Sequence, residues 1–547
     1  MMARIRLLLF ILLTAQLSYG QPAGTTASKL GIEFFIQHQY EAAAKTLEYA
    51  IGHAEGVDEN TLLIDHVFLV HALCLTNDRK ALTVLQHLTP LLQKLQKNTC
   101  RGDFPVEYAD GMRKIMTTFL LPLTSLVSKT FPDQESLHYC FNLLLYLKQF
   151  AFFQLQHQTD EDIRNTLLND YAHLIAEKLG ENDVAIEFVP YMDVDGERVK
   201  GYDYAAYILD RHGKLTFVNV CSKKSVDALY HHNDSTWMLY AKGDDRLPAL
   251  VWRKLEPLVT GKQRIYLAPS GTLNRVNFIL FDDRIHELTT LCELDRRYAA
   301  HTNKNALLVG DVDYDRQMTD STRGEREWGM LKGTKREIEA VASSLSATYT
   351  VTKLTQDSVC EEAVRNHCKQ SPQILHFATH AICYTDSMSR SRYPYFNFPH
   401  TYMPEKPELS FTGLVLSGGN RGFMKTDNLP MSNDGIMLSE EIAKLPLNGT
   451  SLVVLSACNS ASGIFDDIEG TIGMVKAFKL AGARTIIASL SKVDDDAACE
   501  FMTAFYCYMH QSGNIHAAFV NTIRDMKARY PDNPKNWAMF KMTDFKD

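Results

Sequence analysis

The sequence predicts an all-α region of helical repeats followed by an α/β domain in which helices flank a largely parallel sheet. Apolar residues recur at helical spacing up to about residue 180. Beyond Gly180, short apolar runs rich in β-branched residues alternate with amphipathic segments, as in parallel strands that are connected by helices. A chain of 547 residues is also too long for one hydrophobic core, so two or more domains are expected.

The overall composition is that of an ordinary globular protein. Hydrophobic residues make up 45% and charged residues 22% of the chain, which is typical of proteins with a packed core. The net charge of −8 does not favour binding to nucleic acid or to an anionic membrane surface. We therefore expect no nucleic-acid partner.

Residues 1–20 have the layout of a secretory signal peptide. Two arginines precede an apolar run from Leu7 to Leu13, and Ser18 and Gly20 occupy the −3 and −1 positions before Gln21. The alternative is an uncleaved membrane anchor, but a bilayer span needs about 20 apolar residues and this run is shorter. The sequence thus predicts a secreted or periplasmic protein with no membrane span left after cleavage.

Residues 21–180 predict tetratricopeptide-like pairs of helices. Gly31 fits this pattern, because small residues let two paired helices approach closely. A weaker copy places Ala81 where Ala43 stands, at a spacing longer than that of a regular repeat, and a plain helical bundle is the alternative. Apolar or small residues mark one face of each of the first two helices, namely Leu30, Phe34, Ala43, Leu47 and Ala50. Further helices are predicted at Tyr108–Leu126, Ser136–Gln158 and Glu161–Leu179.

Residues 181–547 predict the α/β domain. Two β-like runs, Tyr204–Asp210 and Leu215–Val220, flank a His212-Gly213 turn and predict a hairpin. Strand and helix patterns then alternate along the chain. The predicted strands include "RIYLAP", "NALLVGD", "ILHFATH", "TGLVLSGG", "LVVLSAC" and "RTIIASL".

Two of these predicted strands end in side chains that can do chemistry. "ILHFATH" ends at His380 and "LVVLSAC" ends at Cys458. Active sites gather at the carboxyl ends of parallel strands, so neighbouring strands would bring the two residues together. A thiolate nucleophile needs a base, and imidazole titrates near neutrality. The sequence predicts a Cys458–His380 dyad, and the alternative is a buried structural thiol.

The other cysteines give no sign of a metal or redox site. There are 11 cysteines, so at least one cannot pair within the chain, and no CxxC occurs. We expect no metal and no organic cofactor. His376 shares a strand face with His380 and is predicted to be a core histidine with satisfied hydrogen bonds. Four cysteines are predicted to be structural, namely Cys74, Cys140, Cys221 and Cys292.

Several motifs together resemble those of CHAT domains. "HFATHA" (His376–Ala381), "TGLVLSGGN" (Thr412–Asn420), "DGIMLSEEI" (Asp434–Ile442) and "VVLSACNSASG" (Val453–Gly463) stand in the family's order, and Glu469–Asp495 continues the match. The resemblance covers roughly residues 183–512. CHAT domains are caspase-like cysteine peptidases that often follow tetratricopeptide repeats. The resemblance implies a caspase-like fold, endopeptidase activity on a protein or peptide, and a helical region that binds a partner or substrate.

The same resemblance assigns roles to particular residues. Cys458 matches the nucleophile and His380 the base, while the backbone N–H groups of Ala381 and Cys458 match the oxyanion site. Ala381 replaces the family's glycine, and alanine is disfavoured at positive φ. Ser491 stands where tryptophan is common, which alters the primary specificity pocket. These two departures motivate the alternative of a catalytically inactive caspase-like interaction or scaffold protein.

Two acidic residues follow the predicted strand "RTIIASL". In related separase-like peptidases an acidic residue at this place lines the primary pocket, and Asp494 and Asp495 match it. We expect one of them to point into the cleft beside Cys458 and to select Arg or Lys before the scissile bond. We expect the other to cap the helix predicted at Ala497–Tyr508. The alternative is a solvated acidic loop.

Overall fold

The structure is a computed structural model, and most of the chain can be described from it. The predicted signal peptide (residues 1–20) and the predicted nucleophile Cys458 lie outside the described residues. No helix among the residues that the structure describes is both long and apolar enough to cross a membrane. The described residues are 23–100, 120–153, 170–195, 198–230, 233–296, 298, 303–318, 326–383, 409, 411–423, 433–457, 460, 463–466, 470–491 and 493–544.

The N-terminal region is helical, as predicted. A Cβ atom at Gly31 would lie 2.7 Å from Cγ of Leu47, so a glycine is needed where the first two helices meet. The close approach of these helices is confirmed, whereas assignment to the tetratricopeptide class stays a prediction. The described helices are α1 (Ala23–Ile36), α2 (Tyr40–Gly52), α3 (Glu59–Leu75), α4 (Lys80–Cys100), α5 (Leu121–Thr130), α6 (Gln134–Phe153) and α7 (Tyr171–Lys178).

A five-stranded sheet follows the helices. Its strands are β1 (Asp183–Asp195), β2 (Arg198–Asp210), β3 (Leu215–Ser222), β4 (Arg264–Ala268) and β5 (Ile285–Glu287), in the order β3-β2-β1-β4-β5. The predicted hairpin is confirmed, because β2 and β3 pair antiparallel around Gly213, which has a φ of +80°. Helices α8 (Lys223–Leu229) and α9 (Arg246–Val251) lie between β3 and β4 in the chain.

The five-stranded sheet shares a core with the helical region. Ala185 and Val189 of β1 belong to the same buried cluster as Leu47 and Leu144 of the helices. A buried ion pair also joins them, since Nζ of Lys148 in α6 lies 2.5 Å from Oε1 of Glu187 in β1. The helices and this sheet are therefore packed as one body.

A six-stranded sheet forms the centre of the second half of the chain. Its order is β16-β15-β12-β8-β6-β7, and every neighbouring pair is parallel except β15–β16. Alternate residues of β12 enter opposite cores, with Val453 on one face and Val454 on the other. The strands are β6 (Asn305–Val309), β7 (Thr350–Leu354), β8 (Ile374–Ala378), β12 (Leu452–Ser456), β15 (Thr485–Ser489) and β16 (Phe540–Thr543).

Two of the predicted strands lie outside this sheet, and one of them is "RIYLAP", which forms β4 of the five-stranded sheet. The "TGLVLSGG" run forms β10 of a small antiparallel sheet, β11-β10-β9, because the chain turns away from the main sheet immediately after His380. Further along the chain β13 pairs with β14. These strands are β9 (Ala381–Cys383), β10 (Thr412–Val415), β11 (Ile436–Leu438), β13 (Gly463–Asp466) and β14 (Gly470–Gly473).

Helices cover both faces of the six-stranded sheet, as predicted for a parallel sheet. Side chains of α10, α15 and α16 belong to the core on one face, and those of α11, α13 and α14 to the core on the other. These helices and the short α12 are α10 (Lys332–Leu345), α11 (Glu361–Cys368), α12 (Gly419–Phe423), α13 (Ser439–Ile442), α14 (Met474–Ala481), α15 (Asp495–Ser512) and α16 (Ile515–Arg529).

Candidate active site

The two strands that precede His380 and Cys458 are parallel neighbours, as predicted. In their register, Ser456 of β12 is opposite Ala378 of β8. His380 follows Ala378 by two residues, and Cys458 follows Ser456 by the same number. The distance between the two reactive side chains stays a prediction, because Cys458 is outside the described residues.

The chain that leaves β12 is anchored to β15 by two buried serines. The hydroxyl of Ser460 donates to the carbonyl of Leu455 (3.0 Å) and accepts from the N–H of Ser489 (2.8 Å). The hydroxyl of Ser489 donates to the carbonyl of Ala457 (2.6 Å). Residues on both sides of positions 458 and 459 are therefore held against the end of the sheet.

The His380 imidazole has one ring nitrogen engaged by a backbone carbonyl. Its Nε2 lies 2.8 Å from the carbonyl oxygen of Gly329. A carbonyl only accepts hydrogen bonds, so Nε2 carries a proton, and the lone pair of the neutral ring is on Nδ1. The ring also lies against Tyr314, with the centroids 4.9 Å apart. His380 thus has the tautomer of a base that would receive a proton at Nδ1.

The backbone around His380 is fixed by the same tyrosine and by β10. The N–H of His380 donates to the Tyr314 hydroxyl (3.3 Å), and its carbonyl accepts from the N–H of Val415 (2.9 Å). The hydroxyls of Thr379 and Tyr314 are 3.0 Å apart, and that of Thr379 also donates to the carbonyl of Val415. Sequence reasoning missed Tyr314 and Gly329, which belong to no recognised motif.

Ala381 meets no backbone strain in the place of the family's glycine. It begins β9 and is the register partner of Leu414 in β10. Its φ is not among the positive values of the described residues, so its backbone conformation is one that alanine adopts readily. The substitution therefore leaves a backbone N–H in an ordinary conformation directly after His380.

His376 is a core histidine with satisfied hydrogen bonds, as predicted. It is fully buried, with Nε2 at 2.9 Å from Oε1 of Glu337 and Nδ1 at 3.2 Å from the hydroxyl of Tyr506. Both ring nitrogens are engaged by α10 and α15. Its contacts are those of a structural side chain beneath the sheet.

The two acidic residues after β15 contact helix N-termini. Asp494 is exposed and caps α15, since its Oδ1 accepts from the N–H groups of Asp496 (3.1 Å) and Ala497 (3.3 Å). This confirms that one of the pair caps the helix. Oδ2 of Asp495 accepts from the N–H of Gly333 (2.5 Å) at the start of α10. A role for either carboxylate in binding substrate stays a prediction.

Nine cysteines whose side chains the structure describes form no disulfide. Burial raises the pKa of Cys140, Cys221, Cys368 and Cys383 to about 12, which suppresses the thiolate form at neutral pH. The structural role predicted for Cys74, Cys140 and Cys221 agrees with their burial, while Cys292 is partly exposed. Cys507 in α15 is exposed and provides an accessible thiol.

A second titratable cluster, which shares no residue with the site around His380, was not predicted. Nδ1 of His286 and Nδ1 of His516 lie 3.0 Å and 2.7 Å from the Asp544 carboxylate, and the two rings stack 4.0 Å apart. Nε2 of His516 also donates to the carbonyl of Asp283 (2.9 Å), so His516 can donate on both sides only as an imidazolium. These distances are those of hydrogen bonds, and the cluster joins β5, α16 and the end of β16.

Charge and burial have opposite effects on the pKa values of Asp544 and His516. Burial raises the pKa of Asp544, but His286 and His516 together outweigh it and hold that pKa at about 2. Burial lowers the pKa of His516, but its hydrogen bond to Asp544 and the carboxylate charge outweigh this and raise the pKa. Asp544 and His516 therefore form a partly buried ion pair, and the contact of His286 with Asp544 joins β5 to the end of β16.

The fold and the placement of His380 define the class of this protein. A mainly parallel sheet covered on both faces, with a histidine after one central strand and a cysteine after its neighbour, is the arrangement of a caspase-like α/β domain. The CHAT domain family model matches residues 246–544, which is more than half of the chain. This chain belongs to the CHAT domain family. The match begins after β3, so the first three strands precede it.

Comparison with solved structures finds similarity to caspase-like proteases. The Saccharomyces cerevisiae separase–securin complex is similar with a TM-score of 0.46 and 11% identity, covering 95% of this chain and 47% of that chain. The Arg-specific cysteine proteinase gingipain R gives a TM-score of 0.31 and 11% identity, covering 53% of this chain and 64% of that one. This chain thus spans about half the length of the separase chain that it matches. No curated protein matches the sequence.

Proposed function

We propose that this protein is a cysteine endopeptidase in which Cys458 is the nucleophile and His380 the general base and acid. The observation that carries the proposal is the His380 imidazole, which is held through Nε2 by the Gly329 carbonyl (2.8 Å) at the end of β8. The strand that leads to Cys458 is its parallel neighbour, with Ser456 and Ala378 in register. Membership of the CHAT domain family gives independent support.

The proposed reaction needs no metal or organic cofactor. The Cys458 thiol gives its proton to Nδ1 of His380, and the thiolate attacks the scissile carbonyl carbon. The backbone N–H groups of Ala381 and Cys458 stabilise the oxyanion. The imidazolium then returns the proton to the leaving amine, and water hydrolyses the thioester. The Gly329 carbonyl favours the imidazolium, because it accepts a hydrogen bond from the charged ring.

The proposed substrate is a protein or peptide, and the helical region is proposed to recruit it or a partner. The shared core of the helices and the five-stranded sheet supports this role, since a bound partner would be held at a fixed position relative to the peptidase. We also propose that the protein acts after export, on the basis of its predicted signal peptide.

The proposal is tested with peptide libraries and with protein substrates. The purified protein, Cys458→Ala and His380→Ala are compared with Cys507→Ser, which removes an exposed thiol elsewhere. Cleavage by the protein and by Cys507→Ser, lost in the other two variants, supports the proposal. Absence of cleavage, with Cys458 no more reactive than Cys507 toward a thiol-directed peptide probe, would instead favour a catalytically inactive interaction protein.

A further inference from the structure

We propose that Asn420 is a positioning residue for His380, an inference that rests on the proposed function. Asn420 is fully buried at the start of α12 and makes four side-chain hydrogen bonds. Its Oδ1 accepts from the N–H groups of Glu327 (3.0 Å) and Trp328 (2.9 Å). Its Nδ2 donates to Oδ1 of Asp315 (2.6 Å) and to the carbonyl of Trp328 (2.8 Å). Every donor and acceptor of the carboxamide is used with the correct polarity.

The Asn420 carboxamide holds in position the segment whose carbonyl contacts His380. It binds both the N–H and the carbonyl of Trp328, so one side chain fixes the peptide groups on either side of that residue. The next residue is Gly329, whose carbonyl oxygen lies 2.8 Å from Nε2 of His380. The Trp328 ring also packs against Phe423 of the same short helix, with centroids 4.8 Å apart. The place of the Gly329 carbonyl therefore depends on Asn420.

Asn420 reaches the imidazole by a second route. Its backbone N–H donates to the carbonyl of Tyr314 (3.1 Å), the residue whose ring lies against His380. The neighbouring N–H of Gly418 donates to the carbonyl of Asp313 (3.0 Å). One turn thus holds both of the groups that orient the His380 ring, Tyr314 and the Gly329 carbonyl.

This arrangement bears on catalysis because the imidazole must keep Nδ1 available for the proton of the thiol. A displaced Gly329 carbonyl would release Nε2, allow the other tautomer and weaken the imidazolium. A merely structural asparagine would affect stability and leave the proton transfer unchanged. Asn420→Asp separates these roles, since it retains the acceptor oxygen and places a second oxygen against Asp315 and the Trp328 carbonyl.

The chain offers a matched control for this variant. Asn277 is also buried (1% exposed), and its Nδ2 donates to the carbonyls of Ala538 (2.9 Å) and Phe540 (2.8 Å), at the edge strand β16, which β15 and β12 separate from β8. Asn277→Asp therefore loses two buried donor bonds, as Asn420→Asp does. Asn420→Ser is measured alongside, because it weakens the same contacts without burying a charge and remains informative where Asn420→Asp does not fold.

Two measurements are made on the full chain carrying Cys507→Ser. One is kcat and KM for cleavage, and the other is the pH dependence of Cys458 alkylation by iodoacetamide, located by peptide mass mapping. Asn420→Asp is expected to lower kcat on the order of tenfold or more with KM unchanged, and to move the alkylation midpoint to higher pH. Asn277→Asp is expected to change neither. Adding Asp315→Asn to Asn420→Asp restores one of the two lost N–H···O contacts with the new carboxylate, so part of the lost rate should return.

The outcomes separate this inference from the proposed function. A folded Asn420→Asp or Asn420→Ser protein with unchanged kcat and alkylation profile overturns the inference, and so does an equal loss in Asn277→Asp. If His380→Ala alters Cys458 alkylation and the Asn420 variants do not, the inference alone fails. If His380→Ala leaves alkylation unchanged, the proposed function fails and the inference fails with it.

Discussion

Ser456 and Ala378 are register partners in the parallel pair β12–β8, at the last residue of each strand. His380 follows Ala378 by two residues and Cys458 follows Ser456 by two residues. The segments that lead to the two residues therefore leave the sheet at the same position along its strands. The equal offset matters because a shift of one residue would send one side chain toward the opposite face. The loop after β12 is also anchored through Ser460 and Ser489, which keeps that position fixed.

Alanine at His380 and alanine at His376 should have different effects, one on the rate of cleavage and the other on stability. His380→Ala should lower kcat on the order of a hundredfold or more with little change in stability, because the side chain is half-buried and would act on the proton of the thiol. His376→Ala should instead lower the free energy of unfolding by about 3 kcal/mol, because it leaves Glu337 and Tyr506 buried without that partner. Kinetics and urea unfolding of both variants test this pair. Equal kinetic losses at matched stability would contradict the assignment.

Substitutions of the two carboxylates after β15, Asp494 and Asp495, should also have different effects. Asp494→Ala should lower the free energy of unfolding by about 1 kcal/mol through loss of the α15 cap, without changing cleavage preference. Asp495→Lys should remove a preference for Arg or Lys before the scissile bond, if Asp495 is the residue that faces the substrate. Cleavage profiles of a peptide library measure this directly. An active enzyme whose profile is dominated by apolar or acidic residues there would refute the basic specificity.

The His286–Asp544–His516 cluster should make the protein less stable both at low pH and at high pH. Asp544, with its pKa lowered from 3.8 to about 2, contributes stability above pH 3.8 that is lost as pH falls toward 2. His516, with a pKa raised above 6.5, contributes stability below pH 6.5 that is lost as pH rises through its folded value. The stability difference between the protein and Asp544→Asn should therefore be largest between pH 3.8 and 6.5.

Thermal unfolding across that pH range measures the difference. Asp245→Asn is the control, because Asp245 is exposed and pairs with Arg253 on the surface. If the stability difference between the protein and Asp544→Asn does not change from pH 3 to pH 8, or equals that of the control, the proposed ion pair does not contribute to the pH dependence of stability.

Export should remove the first twenty residues. The order of basic, apolar and small residues places the cleavage site before Gln21. Mass spectrometry of protein recovered from its native compartment should find Gln21 at or near the N-terminus. Recovery from the cytoplasm with Met1 retained would contradict both the cleavage and the compartment.

The sequence predicts correctly the strands and turns that depend mainly on their own residues. The continuous apolar runs of β8 and β12 predict buried parallel strands, and Gly213 predicts the β2–β3 turn. The patterns of "TGLVLSGG" and "RIYLAP" predict strands but not the sheets that they join, because the partner of a short strand depends on tertiary packing rather than on its own pattern.

The surroundings of His380 could not be predicted in the same way. Tyr314, Gly329 and Asn420 come from three separate segments and meet only in the folded chain. His286 and Asp544 are likewise 258 positions apart, and neither stands in a metal-binding or catalytic motif. Backbone acceptors such as the Gly329 carbonyl have no sequence signature at all, since every residue carries one.

The shared core of the helices and the first sheet sets a limit on how this chain can be divided. A fragment that begins at residue 181 would retain every strand yet expose the apolar face of β1 to water. It would also leave the Glu187 carboxylate in that face without the Lys148 ammonium, a change that costs about 3–5 kcal/mol for a buried ion pair. Such a fragment should aggregate when expressed alone and become soluble when residues 23–180 are supplied as a separate chain.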